Sequence, residues 1–191
     1  VARNHIDGGL LNGKPSFIYL GIDPSLTGFA LTAISKDGSL FDTRLCKSQL
    51  RGVRRLLDIS NWLSGTIKEY VGFGWEVMDC AVEDTVVASH SAVVLGELAA
   101  TVKLTCHNFL PEPGKFPLRI PPTMVKKYAT DKGNAKKNEV LLACYKSWGV
   151  EFSDDNMADS YVIARMSAGL TDTQYRVDMV SKLKDPKFRD A

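Results

Sequence analysis

FIYLGIDPSLTG, residues 17–28, decides how the rest of this 191-residue chain is read. Phe17, Ile18, Tyr19, Leu20 and Ile22 form a short apolar run of the kind that makes a buried strand. Asp23 stands at its end, and Pro24, Ser25, Thr27 and Gly28 turn the chain into a second apolar run, Phe29–Ile34. A carboxylate at the mouth of a buried strand is costly unless hydrogen bonds or a cation compensate it. Bonding the amides of its own turn is one way an Asp is satisfied there. A cation is the other.

Working outward, residues 1–15 are polar and Gly-rich and read as a flexible lead-in. Phe17–Asp23, Phe29–Ile34 and Leu40–Leu45 make an antiparallel meander, its second turn being Lys36-Asp37-Gly38-Ser39 with Asp-Gly at the centre. Val53, Leu56, Leu57, Leu63, Ile67 and Val71 recur at helical spacing, so Arg51–Val71 is expected as a helix. Arg51, Arg54 and Arg55 cluster at its start. Val77–Glu83 (VMDCAVE) is a second buried strand that again closes on an acid, Glu83, followed by Asp84.

Ser91–Leu104 reads as a helix and Thr105–Leu110 as a further strand, broken by Pro111 and Pro113. Met124–Ala129 is a short helix, and the loop Thr130–Asn134 leads into another, Ala135–Trp148. SDDNMADS, residues 153–160, opens an apolar helix over Ala158–Leu170. Ser153 is a natural N-cap there, and acids favour a first helical turn, which accounts for Asp154 and Asp155. Asp159 is not explained so. It lies deeper, among Ala158, Tyr161, Val162 and Ile163, with Asp155 and Asn156 four and three residues before it on its own face. From Thr171 the chain is polar, of mixed charge, and reads as a peripheral tail. The expected organisation is therefore a lead-in over 1–15, one α/β domain over 16–170 and a tail over 171–191.

Hydrophobic residues make up 45% and charged residues 24% of the chain, which suits a soluble globular protein with one core. No apolar run approaches the roughly 20 residues of a membrane span, and the first residues lack the pattern of a signal peptide. The expectation is a cytoplasmic protein with no membrane partner. Cys46, Cys80, Cys106 and Cys144 lie far apart without metal-ligand spacing, as do His5, His90 and His107. Metal chemistry must then come from oxygen ligands. The net charge of +2 is unevenly spread: Lys115–Trp148 holds eight basic and two acidic residues, +6, leaving −4 elsewhere. Such a one-sided stretch suits a polyanionic partner, or else a solvated helix face.

Acids thus mark the ends of two buried strands and the start of the last helix. Ligands gather beyond strand ends in open sheets, so Asp23 and Glu83 can be neighbours, and a helix packed across that edge would add Asp159 with Asp155 or Asn156. Clustered carboxylates repel unless a cation neutralises them. Hard oxygen ligands suit Mg²⁺ or Mn²⁺, and two such ions promote phosphodiester hydrolysis.

These motifs in this order resemble the RuvC family of Holliday junction resolvases, of RNase H-like fold, with the bacteriophage versions nearest. GIDPSLTG resembles the family's opening motif, AVED (81–84) its second and DDNMADS (154–160) its last; LGELA (95–99) resembles the helix between. VKKYATDKGNAKKNEV (125–140) resembles the DNA-contacting stretch, with Lys126 and Lys137 at its important lysines. The resemblance implies a mixed sheet, an antiparallel meander plus parallel strands, flanked by helices. It implies catalytic and metal-binding Asp23, Glu83, Asp159 and Asp155 or Asn156, two Mg²⁺ ions per active site, and DNA contacts from Lys126, Lys127, Lys132, Lys136 and Lys137. The partner it implies is branched DNA, chiefly four-way junctions, bound by a homodimer that cuts in pairs and leaves 5′-phosphate and 3′-hydroxyl ends. The helix from Ser91 is the expected dimer contact. A phage-encoded chain would act in the host cytoplasm.

Three departures qualify this. Asn156 stands where the family has Asp or His, which favours Asp155 slightly as the fourth ligand. Val86 stands where bacterial members have a stacking aromatic, and Asp131 replaces a glycine in the basic loop. A broader debranching nuclease and a non-catalytic junction binder are therefore the alternatives. A two-lobed ATP-binding protein of the actin and hexokinase superfamily, whose phosphate loop GIDPSLTG also resembles, needs more chain than this.

Overall fold

The run FIYLGID lies inside β3 (Lys14–Asp23), the axis of a mixed sheet. The structure is a computed structural model that describes residues 3–4, 10–11, 14–84, 92–112 and 115–189. On one side β3 pairs antiparallel with β4 (Phe29–Ser35), and β4 with β5 (Phe41–Cys46), giving the expected meander. On the other it pairs parallel with β6 (Trp75–Glu83), which pairs parallel with β7 (Leu118–Ile120). Two short strands complete the sheet: β1 (Arg3–Asn4) on β5 and β2 (Leu10–Leu11) beside the start of β3. This is the mixed sheet the resemblance implied.

Helices cover both faces. Ile18, Leu20 and Ile22 point to one layer, where they meet Ile59, Leu63 and Ile67 of α1 (Gly52–Gly72) and Leu98 and Val102 of α2 (Ala92–His107). Each such side chain, fully buried, contributes roughly 1.5–3 kcal/mol. The other layer holds α3 (Pro122–Thr130), α4 (Lys137–Trp148), α5 (Asp155–Ser167) and α6 (Gln174–Lys182). There Val125, Tyr128, Val140, Cys144, Tyr161 and Val162 pack on Ala81 and Ile34. Because strand side chains alternate, Gly21 and Asp23 of β3, and Ala81 and Glu83 of β6, fall on this second face.

Three expectations are corrected. Thr105–Leu110 is not a strand, because α2 runs on to His107. Cys106 extends the stripe begun by Leu98 and Val102, and Thr105 satisfies its hydroxyl on the Thr101 carbonyl and Ser60 Oγ. The last parallel strand is β7 instead. The helix opened by SDDNMADS is α5, not the last in the chain, and it begins at Asp155 rather than Ala158; its N-cap is Asp154, not Ser153, and Asp154 Oδ1 accepts from the Asn156 amide at 3.0 Å. The stretch after Thr171 is not peripheral throughout. Its α6 carries Arg176, 2% exposed, which donates to the Tyr128 and Ala129 carbonyls at the end of α3 (3.0 and 3.2 Å) and to Ser147 Oγ (3.1 Å). A guanidinium that caps another helix is buried despite its charge, which composition does not reveal. Among the described residues, no helix is long and apolar enough to cross a membrane.

Candidate active site

The sheet register makes the two strand-end acids neighbours. Ile22 pairs with Val82 in the parallel ladder, so Asp23 follows on β3 as Glu83 follows on β6. Helix α5 then crosses this edge at close range. A Cβ on Gly21 would lie 2.1 Å from the Ala164 amide nitrogen and 2.3 Å from the Ser160 carbonyl oxygen. Only a residue without a side chain lets the helix backbone seat there. Ser160 Oγ also shares a hydrogen bond of 2.9 Å with Thr32 Oγ1 of β4, which in turn bonds Thr43 Oγ1 of β5 at 2.9 Å. These contacts fix the turn of α5 that carries Asp159.

The acids respond to one another. Asp23 is only 7% exposed, and burial, followed by the charges of Glu83 and Asp159, pushes its pKa up to about 8 against the pull of Lys137. Burial and then Asp159 push Glu83 up to about 7, opposed by Lys126 and Lys137. Burial and then Asp155 push Asp159 up to about 6, with the same two lysines opposing. None of these three carboxylates has a hydrogen-bond donor or ion-pair partner of its own among the described residues. Among those residues, no three acid, His or Cys side chains already close around a point as ion ligands would.

Asp155 and Asn156 part company. Asp155 is ion-paired with Lys137 at the start of α4, and its charge acts on both Asp23 and Asp159. Asn156 turns away: its Nδ2 donates to Asp154 Oδ1 at 3.0 Å and lies against Gly28, where a Cβ would be 2.6 Å distant. The amide thus ties the helix start to the turn after β3. Asp84 is set apart too, paired with Arg119 at 3.0 Å.

Of the five lysines expected to contact DNA, Lys126 and Lys137 act directly on the acids. Lys127, Lys132 and Lys136 are exposed along α3, α4 and the loop between them. Asp131, at the C-terminal cap of α3, has φ 64°, a left-handed backbone that favours glycine. Val86 lies outside the described residues. Gly21, Thr32 and Ser160 were not anticipated. The signal for Gly21 was a glycine inside an otherwise apolar strand, which marks close backbone approach; Thr32 and Ser160 gave none. Lys47 was also missed, its Nζ 3.8 Å from Asp154 Oδ2.

A mixed sheet whose central strand and parallel neighbour each end in a buried acid, crossed by a helix that brings a third, is an RNase H-like α/β fold. No family model and no curated protein matches the sequence. Solved structures do: RuvC of Thermus thermophilus superposes with a TM-score of 0.63 over 91% of this chain and 98% of that one, at 18% identity. The T. thermophilus RuvC in complex with a Holliday junction substrate gives 0.61 over 77% and 90%, at 20% identity. The particular version of the fold is therefore that of RuvC.

Proposed function

We propose that this chain is a divalent-metal-dependent endonuclease that resolves four-way DNA junctions by paired phosphodiester hydrolysis. The observation that carries the reading is the trio Asp23, Glu83 and Asp159, buried at one sheet edge with no protein donor or partner cation among the described residues. Three such carboxylates can all be ionised near neutral pH only if positive charge comes from outside. Hard oxygen ligands with that need fit Mg²⁺ or Mn²⁺, held by the trio with Asp155. Bound there, two ions would supply charge neutralisation and an activated water for hydrolysis of the phosphodiester.

The chain's own residues do the rest. Gly21 lets α5 set Asp159 beside the strand ends. Asp154 and Asn156 hold the first turn of α5, and leave Asp155 on the acid side. Lys126 and Lys137 lie where a phosphate drawn to the acids would meet positive charge, and Lys127, Lys132 and Lys136 extend that charge along the surface. Backbone contacts of this kind weaken steeply with salt. Helix α2 leaves Val93 and Leu104 76% and 62% exposed. That face suits a second copy of the chain, and a C₂ pair would present two sites to a junction of near two-fold symmetry.

The test is cleavage of a synthetic four-way junction beside a splayed fork and a linear duplex, with Mg²⁺, Mn²⁺ or EDTA, and Asp23→Asn in parallel. Paired symmetric nicks in the junction, absent with EDTA and in the variant, are expected. Cutting of forks at equal rate would make the chain a general debranching nuclease. Tight binding without cleavage under any metal would refute the enzyme.

A further inference from the structure

A second group of cations lies on the same sheet edge and plays no part in the scheme above. Asp23 pairs with Ala30 and Ala30 with Leu45, so β5 ends level with the acids, two strands or roughly 10 Å away. The chain then passes through Lys47 and Arg51 into α1, whose first turns carry Arg54 and Arg55. Lys47 reaches to 3.8 Å from Asp154, the N-cap of α5, so this group begins at the site itself. The lysines of α3 and α4 follow β7, beyond Glu83 on the opposite side of the acids. Positive charge therefore stands beyond the strand ends on both sides of the acids, on the β5 side at the start of α1, which packs on the sheet face opposite to them.

Helix stability does not explain the β5 side. Cations at a helix N-terminus oppose its dipole, and α1 has no acid in its first turn and no side-chain cap from Arg51. Arg55 is used internally, its Nε donating to the Leu50 carbonyl at 2.6 Å. Arg51 and Arg54 are exposed and have no acidic partner among the described residues. Planar guanidiniums held free at a surface match phosphate oxygens.

We propose that Lys47, Arg51 and Arg54 form a second DNA-contacting flank, gripping the backbone of the junction arm on the β5 side while the α3–α4 lysines grip the arm on the β7 side. The proposal rests on the junction reading and adds to it a path for the DNA: across the strand ends, with phosphate contacts on both sides of the scissile bond. Charge on one flank alone would hold a substrate by one arm. Charge on two holds it across the branch.

The experiment titrates a labelled four-way junction in EDTA over a range of NaCl with wild type, R51A/R54A and the charge-conserving R51K/R54K, followed by hydroxyl-radical footprinting. For R51A/R54A, affinity falls on the order of tenfold and the log–log salt slope drops by about 1.8, two phosphates' worth. Protection disappears on one side of the cleavage position and persists on the other. R51K/R54K keeps the slope, which separates charge from folding. Unchanged slope and footprint in R51A/R54A, with wild type binding the junction in EDTA and cutting it once Mg²⁺ is added, would overturn the second flank and leave the function intact. Wild type that ignores the junction would instead overturn the functional reading.

Discussion

Replacing Asp23 by Asn should make the protein more stable while removing its activity. Asp23 is 7% exposed and its pKa stands at about 8 against an ordinary 3.8. A folded-state pKa above the unfolded value means that the native state binds the proton more tightly, so stability falls as pH rises between those values. At pH 7 native Asp23 is then still largely protonated, and holding that proton against an unfolded carboxyl that is ionised costs about 4 kcal/mol on the shift from 3.8 to about 8. Water entry and movement of Lys137 relax part of that, and the neutral amide should recover ~2 kcal/mol, or about 4–8 °C in Tm for a chain of this size. The assay is thermal and urea unfolding of both proteins in EDTA at pH 5, 7 and 8. The variant's advantage should be smaller at pH 5, closer to the unfolded carboxyl's own pKa of 3.8, and should grow toward pH 8 as the unfolded state gains from ionising and the native state does not. Added Mg²⁺ should then raise the wild-type Tm more than the variant's, because only wild type keeps the full ligand set. A variant equal to or less stable than wild type at pH 8, or a gap independent of pH, would refute the idea that these acids lack compensation.

Gly21→Ala forces a methyl to within 2.1 Å of the Ala164 nitrogen, and should cost about 3 kcal/mol and lower kcat by shifting Asp159, read by unfolding and junction cleavage. Arg176→Ala leaves the Tyr128 and Ala129 carbonyls and Ser147 without their donor and opens a cavity beside Trp148, for a loss of ~3–5 kcal/mol in urea unfolding. Asp131→Gly relaxes a left-handed residue and removes an acid from the basic stretch. It should gain ~0.5 kcal/mol and tighten junction binding several-fold at low salt, measured by fluorescence anisotropy.

Local pattern carried much of this protein. The FIYLGID run, the Asp-Gly hairpin and the apolar spacing in α1 are short-range signals, set by strand alternation, turn geometry and the 3.6-residue repeat. An acid at the end of a buried strand, or deep in a buried helix, is anomalous on its own terms, so Asp23, Glu83 and Asp159 stood out before any contact was known. Tertiary structure decided what depends on partners distant in the chain. Thr105–Leu110 has strand-forming residues, but Thr105–His107 continues α2 instead, because Thr105 and Cys106 bury against α1 and the sheet. Arg176 reads as surface charge until the end of α3 supplies its acceptors. Asp155 and Asn156 are adjacent in sequence, and only the packing of Gly28 against the Asn156 amide, with Lys137 drawn to Asp155, separates the residue that faces the acids from the one that braces the helix. Residue type and spacing mark which groups are expensive to bury; which neighbours meet that cost is settled when the chain closes on itself.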